Sequence, residues 1–151
     1  MKINSDFRDL LCEFNAAEVR YLVVGAYAVF AHAEPRYTKD LDIWVDATPE
    51  NAPRTLAALR RFGAPLTQVT LNDFAVPGIT FQMGVEPNRI DVLTQISSVT
   101  FDEAWHAKLE TRYGDQPVWL LGRAQLLKNK RAVGRPQDLL DIQKIESAKN
   151  R

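Results

Sequence analysis

The sequence predicts an α/β (α+β) protein with a small mixed β-sheet flanked by helices and a helical hairpin over residues 121–151. Short apolar segments of strand type, such as Tyr21–Val24 and Arg89–Leu93, lie between segments of helical spacing, such as Ala52–Phe62. The 151 residues have an ordinary globular composition, 46% hydrophobic and 25% charged. Length and composition together favour one domain over residues 1–151.

Composition also limits the classes of function. The apolar runs are shorter than the roughly 20 residues of a membrane span, and no basic segment precedes an apolar one at the N-terminus, so we expect a cytoplasmic protein without membrane contact. The single cysteine, Cys12, excludes an internal disulfide and a cysteine-based zinc cluster. Residues 122–151 carry 8 Lys and Arg against 3 Asp and Glu. This basic end suits a triphosphate or an RNA end, and equally an ordinary solvated helix face.

The first part of the chain contains a strand, a tight turn and a helix in close succession. Ser5–Glu18 has apolar residues at helical spacing, which predicts an amphipathic helix that covers the sheet. Tyr21–Val24 is a β-branched strand that stops at Gly25, and Ala26–His32 follows as a short helix. A glycine lets the backbone approach a ligand closely, and the free N–H groups of the helix face the same point. The junction is therefore a natural phosphate site.

The next segment, Thr38–Asp46, alternates apolar and polar residues and predicts a half-buried strand. Asp40 and Asp42 then share its polar face, with Cα atoms about 6.5 Å apart. Carboxylates held this close repel each other and raise a pKa, whereas a divalent cation with hard oxygen ligands removes the conflict. Taken alone, the pair also fits a solvated strand face.

These residues resemble the nucleotidyltransferases of the DNA polymerase β superfamily, in particular the small bacterial branch related to the minimal nucleotidyltransferase antitoxins and the AbiEii-type toxins. That branch has a glycine-led turn and helix, then a proline-arginine-x-threonine approach to an Asp-x-Asp strand. The matching residues are Gly25, Pro35, Arg36, Thr38, Asp40 and Asp42. The family's turn is usually Gly-Gly or Gly-Ser, whereas here it is Gly25-Ala26, so a serine hydroxyl that could touch the triphosphate is missing. The resemblance implies a nucleotidyltransferase-like fold, with the backbone N–H groups of this turn at the triphosphate.

Downstream of the acidic strand, Ala52–Phe62 predicts a helix in a strand-helix-strand unit with a right-handed crossover. Residues 68–74 have no clear pattern. The further predicted elements are the strands Ile79–Gly84 and Arg89–Leu93, the helix Phe101–Leu109, the extended segment Pro117–Leu120, and the helices Leu121–Arg131 and Pro136–Ser147.

The resemblance also implies a third carboxylate on a strand beside the Asp-x-Asp strand. We assign it to Asp91, the only acidic residue inside an otherwise apolar strand downstream. The family often ends with a lysine-bearing helix and an arginine-x-x-Asp-x-x-Asp helix. The matching residues are Lys128, Arg135, Asp138 and Asp141. Lys128 either neutralises a phosphate or lies on a helix surface, and we expect the two aspartates to bind neighbouring Arg or Lys side chains.

The resemblance implies a nucleotidyltransferase in which Asp40, Asp42 and Asp91 bind Mg²⁺ or Mn²⁺. An NMP would move from an NTP, with ATP expected, to a hydroxyl of a protein or RNA, with release of pyrophosphate. A cognate toxin or antitoxin is the expected partner. Arg36 and Thr38 either touch a phosphate or hold the turn. The sequence leaves the acceptor open among protein, RNA and small molecule. A catalytically silent nucleotide binder and an antitoxin-like interaction protein are the alternatives, although three converging like charges favour activity.

Overall fold

A computed structural model describes residues 3–33 and 39–148 of the chain. The strands are β1 (Tyr21–Val24), β2 (Asp40–Val45), β3 (Thr80–Met83), β4 (Arg89–Leu93), β5 (Leu109–Tyr113) and β6 (Gln116–Leu120). The α-helices are α1 (Ser5–Ala16), α2 (Gly25–His32), α3 (Ala52–Phe62), α4 (Phe101–His106), α5 (Arg123–Val133) and α6 (Pro136–Ser147), and Leu71–Phe74 forms a 3₁₀ turn. Within these described ranges, no helix is both long and apolar enough to cross a membrane.

The strands form a mixed sheet in the order β3-β4-β2-β1-β6-β5. β1 and β2 pair antiparallel at its centre, and each has a parallel neighbour on its outer side, β6 and β4 respectively. Antiparallel β3 and β5 form the two edges. The predicted class, a mixed sheet flanked by helices with a C-terminal helical hairpin, is confirmed.

One face of the sheet carries the apolar core beneath α1 and α3. The α1 residues that point inward, Phe7, Leu10, Leu11 and Phe14, are buried, as are Leu41, Ile43 and Val45 of β2. The ring of Phe14 packs edge-on against Tyr21 of β1, with centroids 5.6 Å apart. Each such side chain contributes about 1.5–3 kcal/mol through burial. Because the period of a strand is two residues, this packing turns the alternate residues of β2 to the opposite face.

That opposite face has an aromatic layer at one end. Trp44 of β2 contacts Phe101 at a centroid distance of 5.0 Å, and Phe101 stacks on Trp105 at 5.8 Å. The Arg20 guanidinium lies 4.8 Å from the centre of the Trp105 ring and pairs with Asp46 at 3.1 Å. The layer thus fills the part of this face that lies beyond the carboxylate-bearing half of β2.

The structure corrects the predicted helix Phe101–Leu109, which ends at His106. Leu109 instead begins β5, an edge strand that pairs with β6 across a turn at Gly114, where φ is +61°. β5 reads LETRY and its side chains are mostly exposed. The sequence of β5 does not alternate between apolar and polar residues, so it does not predict a strand. The pairing of β5 with β6 holds the segment in place.

The C-terminal hairpin differs from the prediction at both ends of α5, which ends at Val133 and not at Arg131, and agrees in its polar contacts. α5 begins at Arg123 and not at Leu121, because the Leu121 N–H continues the sheet pairing and donates to Val23 at 3.1 Å. Asp138 accepts from Arg135 Nε at 2.7 Å, and Asp141 lies 3.3 Å from the ammonium of Lys130. The prediction that these aspartates bind Arg or Lys neighbours is confirmed.

Candidate active site

The three aspartates that the sequence singles out lie where β2 and β4 pair. In the parallel register Asp42 lies opposite Asp91, and Asp40 lies opposite Arg89. All four residues therefore point to the same face of the sheet, since paired residues in neighbouring strands share a face. Asp91 is 8% exposed, and its neighbours Ile90 and Val92 are buried in the core. The structure thus brings together the three acidic residues that the sequence singles out.

Gly25 packs directly against this group. It follows Val24, which pairs with Asp42, and it begins α2 with φ at +68°. A Cβ added to Gly25 would overlap the Asp42 carboxylate and lie 2.8 Å from its Cγ. Glycine is required here both by the left-handed backbone and by the closeness of the carboxylate.

The start of α2 also offers backbone donors. No side chain caps the helix at Val24, so the N–H groups of its first turn, which begins at Gly25 and Ala26, have no side-chain acceptor at that cap. Such groups, with the positive end of the helix dipole, favour an anion. The turn therefore combines an uncapped helix start with a glycine that has no side chain of its own and lies against the Asp42 carboxylate.

Burial and mutual repulsion perturb the titration of the carboxyl groups. Burial, first, and then the charges of Asp91 and Asp40 and a hydrogen bond to Asp91 together raise the pKa of Asp42 to about 7. The pKa of Asp40 is also raised, first by burial and then by the charge of Glu86. Near neutral pH a proton on Asp42 therefore relieves part of its repulsion with Asp91.

Arg89 relieves another part of the repulsion between the carboxylates. Its Nη2 donates to Asp91 Oδ2 at 3.0 Å and its Nε to Asp91 Oδ1 at 3.4 Å. These contacts raise the pKa of the Arg89 guanidinium, which keeps it charged. The sequence analysis missed this residue. A usable signal was present, because residues two apart on a strand share a face, so Arg89 had to point to the side of Asp91.

Lys128, which the sequence proposes as a phosphate contact, and the helix residue His32 contact other groups in the structure. Lys128 lies on α5, where its ammonium is 3.2 Å from Glu103 of α4 and its side chain is 54% exposed. Arg36 and Thr38 lie outside the described residues. His32 ends α2, and its Nε2 lies 2.7 Å from the backbone oxygen of Leu121. Burial lowers the pKa of His32, which favours the neutral ring as a donor to that oxygen.

A divalent cation fits the chemistry of the three carboxylates, although Asp91 is engaged with Arg89 and with Asp42. Across residues 3–33 and 39–148, no group of three or more His, Cys, Asp or Glu residues is already arranged as a set of metal ligands. Carboxylate oxygens are nevertheless the ligands that Mg²⁺ prefers, and a cation would offset both the burial and the neighbouring charges that raise the pKa of Asp42. The carboxylate oxygens therefore suit a hard cation once that cation replaces the contacts of Arg89 with Asp91.

Comparison with known proteins identifies the fold. No protein-family model matches the chain, and no curated protein matches its sequence. Among solved structures, the chain is similar to the lincosamide antibiotic adenylyltransferase LnuA in its lincomycin-bound crystal structure, with a TM-score of 0.61 and 16% identity over 96% of this chain and 97% of that one. A likeness of this extent along both chains shows that the fold is nucleotidyltransferase-like.

Proposed function

We propose that the protein is a metal-dependent nucleotidyltransferase that moves an NMP from an NTP, with ATP as the expected donor, to a hydroxyl acceptor and releases pyrophosphate. The observation that carries this proposal is the convergence of Asp40, Asp42 and Asp91 on one sheet face, directly beside Gly25 at the start of α2. An acidic group and an uncapped helix start side by side suit a cation-bound triphosphate. The similar fold of an adenylyltransferase supports the same reading.

In this proposal Asp40, Asp42 and Asp91 hold Mg²⁺ or Mn²⁺, which supplies charge compensation for the triphosphate and lowers the pKa of the attacking hydroxyl. The N–H groups at Gly25 and Ala26 donate to the phosphates, and the missing side chain at Gly25 permits their close approach. Asp91 is the candidate to accept the proton of the acceptor hydroxyl or to orient that hydroxyl. Catalysis then rests on positioning and charge compensation.

The acceptor is proposed as a hydroxyl on a separate molecule. Protein and RNA acceptors, including a cognate toxin or antitoxin, follow from the resemblance of the sequence motifs. A small-molecule acceptor stands beside them, because the similar solved structure is an antibiotic adenylyltransferase bound to lincomycin. Arg36, Thr38 and Lys128 remain proposed phosphate contacts, and for Lys128 this requires release from Glu103.

The test is transfer of label. The purified protein is incubated with Mg²⁺, each α-labelled NTP, and in separate reactions total RNA, the product of any neighbouring reading frame, or a panel of hydroxylated small molecules. We expect labelled acceptor and free pyrophosphate with the wild type and with Asp102→Asn, an exposed control at the start of α4. Label should be lost in Asp91→Asn. Labelling that survives Asp91→Asn would contradict the assigned site.

A catalytically silent nucleotide binder is the second candidate, and the ion pair of Arg89 with Asp91 favours it, because this pair occupies both oxygens of the third carboxylate. Calorimetry and label transfer together separate the two candidates. Saturable nucleotide binding by calorimetry without label on any acceptor, for every NTP, would support the silent binder and reject the transferase.

A further inference from the structure

We propose that Arg89 exchanges partners during the catalytic cycle, binding Asp91 in the resting protein and a nucleotide phosphate once a divalent cation has taken its place. The inference rests on the proposed function and adds to it a binding residue and a resting state.

The first step is that Arg89 and a cation compete for the same atoms. The guanidinium contacts both oxygens of Asp91, with Nη2 to Oδ2 at 3.0 Å and Nε to Oδ1 at 3.4 Å. The Asp91 side chain is only 11% exposed, so few other directions of approach to these oxygens are open. A cation that binds Asp91 must therefore displace at least one arm of the fork.

The second step is that a positive charge offsets the mutual repulsion of the three carboxylates. Asp40, Asp42 and Asp91 share one sheet face, and the charge of Glu86 also acts on Asp40. Arg89 interacts favourably with all three aspartates. Removal of a positive charge from a buried acidic group is costly unless another replaces it. A divalent cation makes that replacement and releases the guanidinium.

The third step is that the released side chain lies beside the phosphate position. Arg89 is the first residue of β4, and β4 runs parallel to β2. β1 is antiparallel to β2, so the end of β1 at Gly25 and the start of β4 lie at the same end of the sheet. The Arg89 side chain is 39% exposed and has room to turn. A planar guanidinium suits a phosphate as well as it suits a carboxylate.

The exchange gives opposite effects on two affinities. In Arg89→Gln the competitor for Asp91 is gone, so Mn²⁺ alone should bind about tenfold more tightly. The same variant lacks a phosphate donor, so the Mg²⁺ complex of the non-hydrolysable analogue AMPCPP should bind about tenfold more weakly. Arg89→Lys keeps the charge but not the fork and should fall between the two.

The measurements are free Mn²⁺ by electron paramagnetic resonance and Mg–AMPCPP binding by calorimetry, with circular dichroism to confirm that each variant is folded. Arg112→Gln is the matched control, since Arg112 lies on the far edge strand β5 and donates to the backbone of Asp115. We expect its two affinities to equal those of the wild type. A merely structural role of Arg89 would weaken both affinities in Arg89→Gln and would overturn the inference.

The results also separate this inference from the proposed function. Wild-type protein that binds Mn²⁺ and Mg–AMPCPP, with both affinities unchanged in Arg89→Gln, would overturn the exchange and leave the function standing. Mn²⁺ binding that appears only in Arg89→Gln would support the exchange. It would show that the ion pair between Arg89 and Asp91 is too strong for Mn²⁺ alone to displace. No binding of either probe by any variant would overturn both.

Discussion

Replacement of Asp42 by asparagine should stabilise the metal-free protein, and increasingly so as the pH rises. Burial, first, and the neighbouring carboxylates Asp91 and Asp40 raise the pKa of Asp42 from 3.8 to about 7. For a carboxyl group whose pKa is raised on folding, the charged form is the unfavourable one, so wild-type stability falls as the pH rises from the unfolded pKa through the folded one. Each pKa unit corresponds to about 1.4 kcal/mol, which gives a loss of roughly 3 kcal/mol between about pH 5 and pH 9. The asparagine variant lacks this loss.

The assay is urea denaturation with EDTA at several pH values, comparing each variant with the wild type so that other titrating groups cancel. Asp42→Asn should gain stability relative to wild type between pH 5 and pH 9, whereas Glu110→Gln, an exposed position on β5, should track the wild type. A constant difference between Asp42→Asn and wild type across this range would refute the reasoning, because it would mean that the charge of Asp42 is not buried in the folded state.

Three further expectations can be checked by thermal melts. Mg–ATP should raise the melting temperature of the wild type by mass action, as followed by differential scanning fluorimetry. Asp42→Asn should lose most of this shift, and an unchanged shift would place the ligand elsewhere. Gly25→Ala should cost about 1–2 kcal/mol for the left-handed backbone and should also abolish the Mg–ATP shift, since the new Cβ displaces Asp42; a retained shift would contradict the site. Lys130→Met should destabilise the protein by about 3–5 kcal/mol because it leaves buried aspartates without their cation. Lys128→Met should change stability by under about 1 kcal/mol, because its pair with Glu103 is exposed. Equal effects of the two variants would contradict the assigned ion pairs.

The sequence predicted the central elements well because their patterns are local. The alternation of apolar and polar residues along β2 requires that Asp40 and Asp42 share a face. A glycine between a β-branched strand and a helix predicts the turn at Gly25. α3 and α6 have the predicted bounds, Ala52–Phe62 and Pro136–Ser147, since each starts near a proline and has clear apolar spacing.

What the sequence did not show depends on pairing and helix phase. β5 is an edge strand stabilised by its partner, so no pattern of its own reveals it. Lys128 was chosen as the lysine of the C-terminal motif, yet the ammonium that lies 3.2 Å from Asp138 belongs to Lys130. Residues two apart on a helix point in nearly opposite directions, so Lys130 contacts the buried aspartates whereas Lys128 contacts Glu103 of α4, and a phosphate contact by Lys128 stays a prediction.

The direct register of Asp42 against Asp91 links the candidate site to the closure of the sheet. α3, the 3₁₀ turn and β3 lie between β2 and β4 in the chain, so their pairing closes a long loop, a slow event in folding. The repulsion between these carboxylates first arises at that moment, because the unfolded chain holds them apart. If β2 and β4 are paired in the folding transition state, a bound cation stabilises that state as well as the native one. We then expect Mg²⁺ to accelerate refolding, so that the folding rate of this protein would respond to the concentration of its proposed cofactor.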